Sequence, residues 1–232
     1  MKANLYLKEN TQGTDWVVAD IHGEYNKLLK KLDEVCFDFE VDRLLCSGDL
    51  VDRGPYSYRV VKLLDQPWFF STLGNHESMC IEAYKHSHME WVYRENGGDW
   101  FFDLSKENQD EVIEKLMGLP LTICTKVNGK SILLVHARVP EDNGDSPWLD
   151  EERKMYEIPK EYIEDATWNR HFSSSRHYMT SKEVKAFDLV CVGHTVLKAP
   201  TRMANYLNLD IGVVYDSTKD FVLYNTRTEE IV

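Results

Sequence analysis

Six side chains able to ligate a metal ion recur in one kind of place along this sequence. Asp20, His22, Asp49, Asn75, His136 and His194 stand at or just beyond the ends of five short apolar runs: "WVVAD", "RLLCSGD", "WFFSTLGN", "SILLVH" and "DLVCVGH". Carboxylate, amide and imidazole without thiolate suit Mn²⁺, Fe²⁺, Zn²⁺ or Mg²⁺ rather than a structural cysteine–zinc site. Six ligands are too many for one catalytic ion, which must keep open positions. Two divalent ions sharing one carboxylate fit better, and Asp49, central in the order, is the expected bridge. Ions about 3.5–4 Å apart clamp a nucleophile and a phosphoryl oxygen together. A water between them ionises far more readily than bulk water.

The stretch "CSGDLVDRGP" carries more charge than a turn requires. Arg53 can reach a phosphate as a charge-assisted, bidentate donor. Asp52 can orient a histidine, and "GNHE" supplies His76 next to Asn75. A His–Asp pair beside two ions is a good general acid for a departing alkoxide. Taken singly, each residue has a plainer reading: a surface ion pair for Arg53, a turn contact for Asp52, a helix cap or turn for any aspartate after a strand. Five strand ends with the same pattern make coincidence a poor explanation. Other chemistries are absent. No cysteine is followed six residues later by arginine, "NGKS" lacks the first glycine of a phosphate loop because position 124 is Cys, and "HESMC" lacks the second histidine of a zincin helix. No G-x-S-x-G elbow or G-x-G-x-x-G loop occurs.

These residues need elements to hold them. Asp20, Asp49 and Asn75 follow one another at 29 and 26 residues, the length of a βαβ unit of roughly 30 residues. Between them "EYNKLLKKLDEV" and "SYRVVKLLD" have helical apolar stripes. Successive parallel strands bring their carboxyl ends to one edge, so the ligands are expected to converge. "SKENQDEVIEKLMGLP" predicts a helix capped by Ser105 and stopped near Gly118 and Pro120. "LTICTKVNGKSILLVH" predicts a hairpin turning at Asn128-Gly129. "YLNLDIGVVYDSTKDFVLYN" predicts a closing run of antiparallel strands. The expected fold is an α/β sandwich of mixed sheets with helices outside, one domain over residues 1–232.

Composition agrees with a packed globule. Of 232 residues, 43% are hydrophobic, with 12 Tyr, 9 Phe and 6 Trp. The formal net charge of −12 repels phosphate backbones, against nucleic-acid binding. Five cysteines (36, 46, 80, 124, 191) form no C-x-x-C pair and read as free thiols of a reducing compartment. No leader or membrane-spanning run is visible, so a cytoplasmic protein without membrane attachment is expected. The acidic loop at 140–152 reads as surface.

In order and spacing, "DIHG", "GDLVDRG", "GNHE", "VHA" and "GHT" resemble the PPP family of metal-dependent serine/threonine protein phosphatases, in particular its short bacteriophage lambda-type branch. "QPWFF", "NGGDWFF" and "WNR" are similar to the same subgroup, and the likeness runs from about residue 16 to 224. The resemblance implies a calcineurin-like metallophosphoesterase fold. It implies Asp20, His22 and Asp49 on one ion, and Asp49, Asn75, His136 and His194 on the other. It implies His76 as acid with Asp52 behind it, Arg53 and Arg170 as phosphate clamps, Mn²⁺ as the ion that works in vitro, and phosphoproteins as partners. Three positions depart from the family pattern: Ala19 for Gly, Arg138 after "HA", and Ile211 for Thr. Arg138 is expected to add a cation near the site. His86, His88, His171 and His177 match no motif and read as structural or surface. A dinucleoside tetraphosphatase of the same superfamily is the nearest rival, but those enzymes typically read "GDLVARG" and "GNHD". A non-catalytic binding relic would have lost ligands or acid, and none is missing.

Overall fold

The computed structural model describes residues 2–140, 148–170 and 183–232. Along the chain run β1 (Asn4–Tyr6), β2 (Asp15–Val18), α1 (Tyr25–Glu34), β3 (Arg43–Cys46), α2 (Ser57–Val61), β4 (Phe69–Ser71) and α3 (Asn75–Lys85). Then follow α4 (Glu90–Glu95), α5 (Asp99–Phe102), α6 (Lys106–Met117), β5 (Thr122–Val127), β6 (Lys130–Val135), α7 (Lys160–Thr167), β7 (Leu189–Val192), β8 (Thr201–Met203), β9 (Tyr206–Asn208) and β10 (Tyr224–Asn225). They form two mixed sheets, ordered β10-β2-β3-β4 and β1-β5-β6-β7-β9-β8. β2, β3 and β4 are parallel, as are β6, β7 and β9.

Side chains alternate across each strand. Val17 of β2, Leu45 of β3, Ile132 and Leu134 of β6, and Leu189 and Cys191 of β7 share one core between the sheets. Their neighbours Trp16, Val18, Leu44, Cys46, Leu133, Val135, Val190 and Val192 belong to the larger core, with Leu28 and Leu32 of α1 and Leu116 of α6. Both faces of these strands are therefore covered, which is why the sequence reads as continuous apolar runs. Asp15 is fully buried at the start of β2, where Arg43 of β3 forks onto it with two 2.7 Å bonds. Thr125 of β5 also donates to Asp15, at 3.3 Å, which ties the two sheets together.

The hairpin turns at Asn128-Gly129, with Asn128 in the left-handed region. Ser105 caps α6, its hydroxyl accepting the Asn108 N–H. The closing run differs from expectation. β9 is antiparallel to β8 but parallel to β7, a short 3-10 turn follows at Val213–Tyr215, and β10 crosses to the other sheet, antiparallel to β2. The fully buried strand β9 has no half-exposed pattern to mark its direction. Four cysteines are buried, Cys36 is exposed, and none is bridged. No described helix is long and apolar enough to cross a membrane. His86 and His88 are exposed just beyond the end of α3, their rings 5.7 Å apart and tilted, whereas His171 and His177 fall outside the described residues, as do residues 141–147 of the acidic loop.

Candidate active site

The ends of β2, β3, β4, β6 and β7 meet at one cavity of about 550 Å³. Asp20, His22, Asp49, Arg53, Asn75, His76, Arg170 and His194 line it. His136 is fully buried and reaches the cluster from behind Asn75. Asp52 is fully buried behind His76. All ten residues singled out in the sequence are thus brought to one place.

The loops that carry them are strained. Among the described residues nine non-glycine positions have positive φ, and five are site residues: His22, Asp49, Asp52, Arg53 and His194. Such backbone costs on the order of 1 kcal/mol or more per residue and persists only where neighbours over-determine it. Here the loops hold one another. The Asp49 carbonyl accepts the N–H groups of Ile21 and His22, both at 2.9 Å. Glu77, fully buried in the first turn of α3, accepts from Asp49 and Gly74 on Oε2 at 2.9 Å, and from Leu50 at 2.8 Å and Val51 at 3.3 Å on Oε1. The N–H of His76 donates to Asp49 Oδ1 at 3.0 Å. Two glycines permit the close approach. A Cβ on Gly74 would lie 2.2 Å from Asp49 Oδ1, and one on Gly193 would lie 1.9 Å from Asp20 Oδ1.

Three imidazoles are fixed by backbone carbonyls. His22 Nδ1–H donates to Val51 O at 2.8 Å, His136 Nδ1–H to Ser47 O at 2.9 Å, and His194 Nε2–H to Trp168 O at 2.9 Å. A carbonyl can only accept, so each ring turns its other nitrogen, a lone pair, toward the cluster. Burial pulls the pKa of all three down, that of His194 to about 4. His136 Nε2 and His194 Nδ1 both face Asn75 Oδ1 at 2.9 Å. His136 Nε2 is 3.4 Å from Asp49 Oδ1, and His22 Nε2 is 3.7 Å from Asp49 Oδ2 and 4.0 Å from Asp20 Oδ2. Acceptors thus face acceptors at contact distance, an arrangement that a cation satisfies. Burial also pushes Asp20 and Asp49 well up, each further raised by a neighbouring carboxylate, Asp210 and Asp20 respectively. Positive charge in their midst reverses both effects. Two groups of atoms lie within 4.8 Å of one another: His22, Asp49 and His76, and Asp49, His136 and His194. Asp49 is common to both. The donor set fits divalent ions.

Beside the cluster His76 Nδ1 and Asp52 Oδ2 are 2.6 Å apart. Two donors from later in the chain complete Asp52: Tyr93 Oη and Trp100 Nε1, each 2.7 Å from Oδ1. Burial raises Asp52 to about 7 against these bonds, and lowers His76. Arg53 Nη1 lies 2.5 Å from His22 Nε2, and its guanidinium stacks on Tyr215 at 5.2 Å. Arg170 is exposed at the cavity rim. Arg138 does not line the cavity; it pairs with Asp165, so the expected extra cation is spent on α7. Ala19 packs in the core between the sheets, and Ile211 packs against the larger one.

Sequence reading gave Glu77, Tyr93 and Trp100 no role in the site's geometry. Glu77 had a signal, an acid three residues after a helix-opening glycine. Tyr93 and Trp100 are aromatic rings with a polar tip, which find a partner when buried, but nothing local names the partner. Glu77→Gln keeps the size of the side chain and sets an N–H donor against N–H donors. It should destabilise the chain by about 2–3 kcal/mol, read from the denaturant midpoint at unchanged slope. An unchanged midpoint would mean that Glu77 does not hold these loops.

The calcineurin-like phosphoesterase family profile matches residues 16–198. Serine/threonine-protein phosphatase 1 of Salmonella typhimurium is 32% identical over 206 residues, which cover 86% of this chain and 87% of that protein. Serine/threonine-protein phosphatase 2 of Escherichia coli is 47% identical over 102 residues, 44% of this chain and 46% of that one. Among solved structures, a protein described as a candidate diadenosine tetraphosphatase superposes with a TM-score of 0.68 at 21% identity, over 100% of this chain and 97% of the other. That likeness extends to the fold. The chain belongs to the calcineurin-like phosphoesterase family, on the branch of the short lambda-type PPP phosphatases.

Proposed function

We propose that this metallophosphoesterase removes phosphate from phosphoserine and phosphothreonine in proteins, by direct hydrolysis without a covalent phosphoenzyme. Two ions, Mn²⁺ in our reading, are assigned to Asp20, His22 and Asp49, and to Asp49, Asn75, His136 and His194. Bound there, they would supply Lewis acidity and a water of lowered pKa. The remaining work falls to the chain's own groups. Arg53 and Arg170 bind and orient the phosphoryl oxygens. His76 is the proton donor to the leaving oxygen, and Asp52 keeps its Nδ1 side engaged so that Nε2 faces the cavity. The buried, unbridged thiols fit a reducing cytoplasm.

The His76–Asp52 contact carries this reading. A serine alkoxide is a poor leaving group and needs a proton as it departs. A pyrophosphate chain leaves far more easily and needs less help. The tetraphosphatase alternative therefore gives Asp52 and its two aromatic donors less to do. The names of the two bacterial relatives support the same choice. Activity should vanish when divalent ions are chelated and return with Mn²⁺. Phosphoserine protein should be turned over more efficiently than diadenosine tetraphosphate when both are offered to the reloaded protein. Full activity in a verified metal-free sample, or the reverse preference, would contradict the assignment.

His76→Asn and Asp52→Asn separate acid catalysis from substrate binding. General acid catalysis typically contributes about 10²–10⁴-fold. Under single-turnover conditions both variants should lose that much on phosphoserine protein. They should lose far less on p-nitrophenyl phosphate, whose leaving group needs no proton. Equal losses on the two substrates would assign His76 to the phosphoryl oxygens instead.

A further inference from the structure

The cavity wall contains a carboxylate without a task in this scheme. Asp210 is 5% exposed and lines the cavity. Its Oδ1 accepts the Gly212 N–H at 2.9 Å, its own N–H donates to Asn208 Oδ1 at 2.8 Å, and its carbonyl accepts from Leu197 at 2.9 Å. Its Oδ2 is buried and, among the described residues, has no hydrogen-bond partner. A carboxylate oxygen shut away from water without a donor is costly, and in the wall of a functional cavity it marks where a donor arrives.

Tyr215, five residues on, borders the same cavity and is the ring that faces the Arg53 guanidinium. The strap between them is rigidly shaped. Gly212 has φ of +72°, and a Cβ there would meet Val196 Cγ1 at 2.7 Å. Among the described residues the Arg53 guanidinium has a polar contact with His22 Nε2. That nitrogen is a proposed ligand, so a divalent ion held there would use the same lone pair and would repel the guanidinium. Arg53 then needs another acceptor on the cavity wall. Asp20 already receives the His194 N–H on both oxygens, at 2.9 and 3.2 Å. Lys219, four residues beyond Tyr215, donates to Ile211 O at 2.6 Å. Among the described residues, Asp210 Oδ2 is a buried acceptor on that wall without a donor.

We propose that Asp210 is the positioning residue for Arg53. In the ion-loaded protein its Oδ2 accepts one guanidinium N–H while the Tyr215 ring supports the plane, and the remaining N–H groups face the phosphoryl oxygens. The idea rests on the reading of Arg53 as a phosphate-binding residue. Burial pushes Asp210 up to about 6, and the Gly212 N–H and the charges of Arg53, Lys219 and Arg170 work against that rise. The guanidinium thus lies within electrostatic reach of the carboxyl.

The test is inhibition of the Mn²⁺-loaded protein by inorganic phosphate, with p-nitrophenyl phosphate as substrate. It is run on the parent, Asp210→Asn, Arg53→Ala and the double variant. Asn retains an oxygen for the Gly212 N–H. Asp210→Asn should raise the phosphate inhibition constant about tenfold, as expected for a lost charge-assisted hydrogen bond. In the Arg53→Ala background it should change that constant by less than about twofold, because the residue it positions is gone. Tyr215→Leu, which leaves Asp210 intact, should raise the constant by about 2–5-fold. Mn²⁺ content should match the parent in all variants. An equal rise in both backgrounds, no rise in the parent background, or loss of ions from Asp210→Asn overturns the positioning role alone. An Arg53→Ala protein inhibited like the parent overturns the phosphate role of Arg53 and the positioning role together.

Discussion

A single buried carboxylate sets the shape of this site. Glu77 takes four backbone N–H groups from two segments of chain, the turn after β3 and the start of α3. Burial drives its pKa up to about 7, against the backbone bonds from Gly74, Leu50 and Asp49. Those bonds stabilise the anion, as oriented N–H groups do. Through them Asp49 is held in left-handed backbone, with its carbonyl turned to the first loop and its side chain to the cluster. The first loop leans on Asp49, and Asp49 leans on Glu77. Strain at His22, Asp49, Asp52 and Arg53 is therefore supported collectively, and a defect at Glu77 reaches residues it never touches.

The sandwich supplies the rest of the geometry. Parallel strands β2, β3 and β4 end side by side in one sheet, and β6 and β7 do so in the other. Each end delivers a polar residue to the same rim. The start of α3 adds the positive end of a helix dipole, and the N–H of His76 bonds to the shared carboxylate. The histidines are not free to turn, because Val51, Ser47 and Trp168 each hold one ring nitrogen by a carbonyl. The ligand face is organised by ordinary backbone hydrogen bonds.

Much of this was legible in the sequence, for identifiable reasons. Strands covered on both faces read as apolar runs, so the abrupt polar residue at each end stood out. The interval between Asp20, Asp49 and Asn75 matched a repeating strand–helix unit. What escaped was non-local. Tyr93 and Trp100 reach Asp52 from more than 40 residues away, and α4 and α5 carry no motif that predicts the contact. Asp210 and Tyr215 lie on a strap whose course depends on Gly212. The direction of β9 is not written in its three buried residues, because its parallel pairing to β7 is decided by the sheet as a whole. Arg138 was placed by its neighbour in sequence, whereas its partner Asp165 lies on α7.

The central claim is that Asp49 belongs to two ligand groups at once, and counting ions tests it most directly. Asp49→Ala, equilibrated with Mn²⁺ and analysed for metal per chain, should lose both ions, whereas Asp20→Ala should lose only the one it helps to hold. Retention of one ion at the parental affinity in Asp49→Ala would show that the carboxylate is not shared, and would contradict the two-ion account built on it.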